Sequence, residues 1–496
     1  MNSLSLVFWS ILAVVGLLLF IKFKPPTIAS LLLSKDEAKE ISIQFIKEFV
    51  GIDVENWDFY SVYWYDHDTV NKLHHLGILK KNRKVLYDVG LVESWRVRFV
   101  HQNQSFVVGV NANREITFFY ADVPKKTLSG KFEQVSPETL KQRLMASPDG
   151  LWSRANMTGT GKKEEDFREV STYWYIAEAG DIRLKVTVEL QGGRISYIGT
   201  EQEILTDQMS KVIRDEQVES TFGVSGMLGS ALAMILAILI LVFMDVQTSI
   251  IFSLVLGLLI IICQSLTLKE DIQLTIVNAY DARMSVKTVS LLGILSTLLT
   301  GLLTGFVVFI CSLAGNALAG DFGWKTFEQP IVQIFYGIGA GLISLGVTSL
   351  LFNLLEKKQY LRISPELSNR TVFLSGFTFR QGLNMSIQSS IGEEVIYRLL
   401  MIPVIWWMSG NILISIIVSS FLWAVMHQVT GYDPRWIRWL HLFIFGCFLG
   451  VLFIKFGFIC VLVAHFIHNL VLVCMPLWQF KLQKHMHHDQ PKHTSL

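Results

Sequence analysis

Charged residues are scarce in this chain: they make up 17% of its 496 residues, against 51% hydrophobic. A soluble protein of two or three domains carries about a quarter charged residues. That class is excluded, and a polytopic membrane protein remains. Neither sign of charge dominates, with 43 Lys and Arg against 41 Asp and Glu. The basic residues stand beside apolar segments instead of forming one patch interleaved with aromatics, so no nucleic-acid partner is expected. Cysteine is rare as well. Cys263, Cys311, Cys447, Cys460 and Cys474 all fall in apolar stretches and none makes a CxxC pair, which neither requires nor excludes an oxidising compartment.

What the chain does have is long apolar runs. Residues 4–21 are long enough to span a bilayer of about 30 Å, and Lys22, Lys24, Pro25 and Pro26 follow. No basic residue precedes this run and no clear small-x-small cleavage site follows, which marks residues 1–24 as an uncleaved anchor rather than a signal peptide.

Residues 25–222 carry no span and read as a soluble α+β domain. Ser34 and Glu37 form a capping-box pattern that opens a helix over 35–50. Period-two alternation predicts strands at 95–100, 106–110 and 116–120. A second round follows, with a helix opened by Ser136-Pro137-Glu138 and strands at 173–176, 182–190 and 194–198. Helix then strand meander, twice, suggests a duplicated unit, and its order resembles PepSY-type modules, which are extracytoplasmic appendages of membrane proteins. Gly159-Thr160-Gly161-Lys162 lacks the earlier glycine and the closing Ser or Thr of a phosphate loop, so a solvated loop is expected there. Val54, Trp57, Phe59, Tyr60, Tyr63 and Trp64 read as core rather than as a peptide-binding face.

Apolar spans return at 226–244 and 248–268, broken at Asp245, and a polar loop follows with Lys269, Glu270, Asp271, Asp281, Arg283 and Lys287. Further spans are expected at 289–312, 331–354, 388–407, 412–427, 437–454 and 458–477, about eight or nine in all. They divide into transmembrane helices at 223–355, a core at 356–480 and a basic, His-rich tail at 481–496. Gly301, Gly305, Gly337, Gly339, Gly341, Gly446 and Gly450 permit close helix approach. Residues 371–390, with Arg380, read as an amphipathic interfacial segment, and Pro403 as a kink. Lys357, Lys358, Arg362, Arg370, Arg435, Arg438 and the tail put the C-terminus in the cytoplasm of a multi-pass protein. Counting back places residues 25–222 in the cytoplasm, whereas the PepSY-like order places them outside; the sequence leaves that side open.

Charge inside this apolar frame needs a reason, because an ionised group at membrane depth costs at least about 2.5–3.5 kcal/mol. Glu393, Glu394 and Arg398 open one such run. Glu394 and Arg398 are four apart and face each other on a helix, while Glu393 points about 100° away with its carboxyl free. His427 ends another span, and His465 and Asn469 share a face of a third.

Glu-Glu-x-x-x-Arg at 393–398, His427, and His465-x-x-x-Asn469 together resemble the CPBP family, which contains the CAAX prenyl endopeptidases and the bacterial Abi-type proteins, intramembrane glutamate-dependent proteases. The resemblance covers about 330–480. It implies hydrolysis of a peptide bond in a peptide or membrane-protein substrate, with Glu393 as base, His427 sharing the water, and His465 and Asn469 holding the oxyanion. Glu394 and Arg398 are implied as supports. The family's second motif is Phe-x-x-x-His; here Trp423 stands four before His427, and altered packing with retained activity is expected. No cofactor is implied. Two other readings stay open: a zinc protease in which Glu393, His427 and His465 hold the metal, and a non-enzymatic scaffold, chaperone or immunity protein that binds a partner's transmembrane segment. A transporter would show inverted repeats, and the apolar half shows none. His441 and His468 match no motif and read as core or interface histidines; His485, His487, His488 and His493 read as part of the tail.

Overall fold

The computed structural model describes residues 3–25, 31–128, 132, 135–165, 168–244, 249–368, 378–427 and 429–488. Asp166, Asp245, Arg370 and His493, together with 371–377 of the expected interfacial segment, lie outside the described residues.

Helix α1 (Ser3–Phe23) is long and apolar enough to cross a membrane, and the chain then builds one antiparallel sheet with its covering helices. The first half runs α2 (Lys35–Phe49), β1 (Asp58–Trp64), α3 (His67–His75), α4 (Leu79–Asp88), β2 (Ser94–His101), β3 (Gln104–Asn111) and β4 (Ile116–Asp122). The second runs α5 (Pro137–Leu144), α6 (Leu151–Arg154), β5 (Ala155–Glu165), β6 (Arg168–Ala179), β7 (Ile182–Gln191) and β8 (Arg194–Ile204). Strand order is β1-β2-β3-β4-β8-β7-β6-β5, a mirror of itself about the β4–β8 seam. At that seam Phe119 pairs with Ile198 and Tyr120 with Tyr197.

Helix α2 starts at the capping box, with Ser34 Oγ accepting from the Glu37 amide and Glu37 Oε2 accepting from the Ser34 amide. It buries Ala38, Phe45, Ile46 and Phe49, on one face, against the sheet. Val54 and Tyr63 are in the same core and Trp57 stacks on Phe106. Two strands had no alternation to announce them, β1 and β5. Strand β5 contains Gly159-Thr160-Gly161-Lys162, so the expected loop is a strand. Its glycines make room for Trp174, whose ring a Cβ at Gly161 would meet at 2.8 Å.

Beyond the sheet come α7 (Met209–Phe243), α8 (Ile250–Leu266), α9 (Leu268–Ala279), α10 (Val286–Asp321) and α11 (Pro330–Lys357). Next are the short β9 (Arg362–Ile363) and α12 (Pro365–Ser368), then α13 (Phe379–Glu394), a π-helical stretch Val395–Leu400, α14 (Met401–Ser409) and α15 (Ile412–Val425). The chain closes with β10 (Tyr432–Asp433), α16 (Arg435–Phe456) and α17 (Phe458–His488).

Among the described residues, six helices are long and apolar enough to cross a membrane, or seven if the pair α8 and α9, bent by 50°, is one span. This is fewer than the eight or nine expected. Helix α15 has 14 residues, about 21 Å at 1.5 Å per residue, short of the roughly 30 Å of a hydrocarbon core. The expected span at 388–407 is not one helix either: it joins the end of α13 to α14 through the wide turn. The irregularity in the helix therefore lies ahead of Pro403. Proline has no N–H for the Leu399 carbonyl four residues back, which favours the wider ladder there. That carbonyl meets α10 at Gly315, where an added Cβ would clash with it.

Two further expectations change. The polar loop after α8 is helix α9, and it docks on the sheet. Arg98, 4% exposed, donates to the carbonyls of Val277 and Tyr280 at 3.1 and 3.3 Å, a cation at a helix C-terminus. Gln273 donates to the Ser61 carbonyl at 2.8 Å. Helix α13 is not interfacial: it packs between α8 and α17, burying the polar or small side chains of Asn384, Ser386 and Ser390. Asn384 donates to Thr267 Oγ1 and Gln388 to Gln264 Oε1, so these polar groups are satisfied where lipid would leave them bare.

Candidate active site

Glu393 ends α13 just before the π-helical stretch, His427 follows α15, and His465 and Asn469 stand one turn apart on α17. The fold brings all four to one cavity of about 260 Å³. Oε2 of Glu393 lies 3.5 Å from Nε2 of His427 and 3.9 Å from Nε2 of His465. The Glu393 and His427 side chains are 20% and 27% exposed while that of His465 is 3% exposed, so the acid and one imidazole face the opening and the other imidazole lies behind them.

Each imidazole is turned by a hydrogen bond on its other nitrogen. Nδ1 of His427 lies 2.8 Å from the Trp423 carbonyl; a carbonyl only accepts, so Nδ1 carries the proton. Nδ1 of His465 lies 2.7 Å from Oε1 of Glu394, and donates to that carboxylate in the same way. In the neutral rings both Nε2 atoms thus present a lone pair toward Glu393. Two acceptor nitrogens and a carboxylate oxygen around one space suit a molecule that brings its own protons, which water does.

Glu394 and Arg398 are both fully buried and pair at 3.1 Å, the contact that their spacing predicts. The same Oε1 also takes His465, a bond that the spacing did not reveal. Arg398 extends to the Gly446 carbonyl and lies over the Trp423 ring at 4.5 Å. Gly446 has no side chain in the way; a Cβ there would sit 3.0 Å from Trp423 and 3.2 Å from Arg398. Trp423 does more than fill space. Its indole N–H donates to Oε2 of Glu393 at 2.6 Å, and its ring stands edge-on to His427 and His465. A phenylalanine at this position has no such proton.

Asn469 Nδ2 donates one proton to Ser389 Oγ at 2.9 Å, which leaves the second N–H of the amide. His441 and His468 are buried and each has a hydroxyl partner, Thr348 and Ser344 respectively. Both nevertheless line the cavity, as does Arg438. The signal was present in the sequence: Arg438 and His441 are three apart on one helix, as are His465 and His468. Among the described residues no group of three or more His, Cys, Asp or Glu has the geometry to hold a metal ion. The oxygen that Glu393 turns to both histidines already accepts the indole proton. The side chains of His485, His487 and His488 lie outside the described residues.

Several helices apolar enough to cross a membrane, with a carboxylate and two imidazoles lining a cavity among them, describe a membrane-embedded site with the groups that hydrolysis uses. Residues 375–471, which contain every one of these motif residues, match the family model described as type II CAAX prenyl endopeptidase Rce1-like. The match makes this region similar to the CAAX-protease domains of the CPBP family, and at family level it supports a CAAX-type membrane protease. The sheet and the helices before residue 375 lie outside that match. No solved structure matches the chain.

Proposed function

We propose that the protein is an intramembrane endopeptidase in which Glu393 activates a water molecule. The observation that carries this reading is the position of Oε2 of Glu393, within 4 Å of two imidazole nitrogens at the mouth of the cavity. A water here can donate one O–H to Glu393 and the other to Nε2 of His427, so its oxygen lone pair is left to attack a carbonyl carbon. Glu393 takes the proton as general base and returns it to the leaving amine as general acid. The oxyanion that forms needs donors. The second amide N–H of Asn469 serves directly. His465 serves when its Nε2 holds a proton taken up from solvent before the attack, and Glu394 behind Nδ1 stabilises the imidazolium, as the aspartate of a catalytic triad does.

Glu393→Gln keeps the shape of the site and removes the base, which predicts a fall in turnover of about 10²–10⁴-fold. A terminomic comparison of cells carrying wild type and Glu393→Gln tests it: neo-termini that vanish in the variant identify both the activity and the cleavage site. Unchanged termini together with full cellular function favour a scaffold, chaperone or immunity protein that holds a partner's transmembrane segment. The site works without a cofactor in this reading, so full peptidase activity is expected after chelation, and a loss restored by zinc sinks it. The substrate is a peptide or membrane protein that enters from the bilayer, and the C-terminal tail is cytoplasmic.

A further inference from the structure

His427 stands at the start of the loop that joins α15 to α16, and the groups that fix this loop come from outside residues 375–471. Oε1 of Glu219, on α7, accepts the backbone N–H of Val429 at 3.1 Å. Oε2 of the same residue pairs with Nη1 of Arg435 at 2.7 Å. One carboxylate thus grips the loop near both of its ends.

The grip continues into the sheet region. Arg435, 7% exposed, donates from Nε to Nε2 of His75 at 2.6 Å. With that nitrogen accepting, the imidazole proton is on Nδ1, which faces Oδ1 of Asp433 at 3.6 Å. Arg362 closes on the same Asp433 from β9. Further along α7, Phe222 meets Trp439 edge-on at 5.2 Å, and the Trp439 indole N–H donates to the His427 carbonyl at 3.4 Å. Gly226 backs Met426, and a Cβ there would stand 2.9 Å from Met426 Cβ. Helix α7 therefore lies along the whole turn that carries His427. It begins at Met209, directly after β8 ends at Ile204.

The ring of His427 is tied to the backbone of its own turn, through Nδ1 and the Trp423 carbonyl. Where the turn goes, Nε2 goes. We propose that Glu219 is a positioning residue for His427, and that α7 and the Arg435–His75 contact let the sheet region set where His427 stands relative to Glu393. A partner that shifts the sheet would then change turnover through this clamp, since both ends of the coupling bias one element. That the positioned residue does chemistry rests on the peptidase reading; that Glu219 holds it does not.

Hydrogen–deuterium exchange of the full chain in detergent micelles tests the clamp without a substrate. In Glu219→Ala the amides of 427–435 are expected to exchange about tenfold faster or more, while β2, β3 and β7 keep their protection. Glu219→Gln still offers an oxygen to Val429 but no charge to Arg435. It is expected to keep Val429 protected and to loosen the first turn of α16, and it stands in if the alanine variant fails to fold. His75→Phe removes the acceptor on the sheet side and is expected to speed exchange over 429–435. An unchanged 427–435 segment in the Glu219 variants overturns the clamp, and an unchanged segment in His75→Phe overturns the link to the sheet. On a reporter peptide spanning the cleavage site found by terminomics, Glu219→Gln is expected to lower kcat about tenfold with KM within about twofold; a change in KM alone overturns the positioning role. Glu393→Gln separates the two ideas: it should leave exchange at 427–435 as in wild type, and if it still cleaves the peptide, the peptidase reading fails while the clamp stands.

Discussion

Oε1 of Glu394 lies 2.7 Å from Nδ1 of His465, and the same oxygen receives Arg398 at 3.1 Å. The acid that the sequence marks as a structural partner of Arg398 thus also sets the tautomer and tilt of an imidazole on another helix, as supporting carboxylates do for functional histidines.

Removing that acid should cost the fold first. Glu394→Ala leaves Arg398 buried without a countercharge, which costs about 3–5 kcal/mol. Thermal unfolding in micelles should show a clear loss for the alanine variant. Glu394→Gln should unfold closer to wild type but turn over poorly, since a neutral amide no longer stabilises a protonated His465. An alanine variant as stable as wild type would remove the ion pair from the account.

Trp423→Phe restores the aromatic found in the family's motif but deletes the proton shared with Glu393. A hydrogen bond to a charged group contributes about 1.5–3 kcal/mol, so a change in the pH profile and about a tenfold change in kcat are expected. An unchanged profile would mean that the indole only packs.

Acid should loosen the sheet region near α3. Burial holds His74 down to about 4, below its ordinary value of 6.5. The unfolded chain binds a proton in that window and the folded one does not, so stability falls as pH drops from 6.5 toward 4, by about 3 kcal/mol at the lower end. Asp433, held down to about 2 by His75 and Arg362 against the effect of burial, adds a second loss only as pH falls below 3.8. Thermal scans between pH 7 and 4.5 should show the first loss, and His74→Gln should flatten it.

Gly315→Ala puts a methyl group on the Leu399 carbonyl. The clash is with backbone, which a rotamer change cannot relieve, so a loss of about 1–3 kcal/mol is expected. Because Leu399 belongs to the wide turn beside Glu393, activity should drop with it. Gly320→Ala, where a Cβ meets nothing within 4 Å, is the control.

Much of the site was legible in the sequence because its parts recur at fixed spacings. Glu394 and Arg398, or His465 and Asn469, are four apart, and helix geometry alone puts each pair on one face. The hydrogen bond from His465 to Glu394 crosses 71 residues of sequence, and no periodicity reports such a contact. The same limit hid Glu219. In the fold, β2, β3 and β7 alternate and were found, whereas β5 is an edge strand of glycines and paired charges that looks like a loop until Trp174 is laid across it. The span count differs where α15 is short and where the wide turn interrupts 388–407, and hydropathy along the chain reports neither.

The Arg98 anchor has a consequence for biosynthesis. Its receiving carbonyl on Val277 is 179 residues downstream, on a helix suspended between two membrane segments. The sheet can be complete as it leaves the ribosome, yet this mooring does not exist until α9 has been made. The amino-terminal half therefore closes onto a berth made after it, and truncation before residue 277 should leave a folded sheet without this anchor.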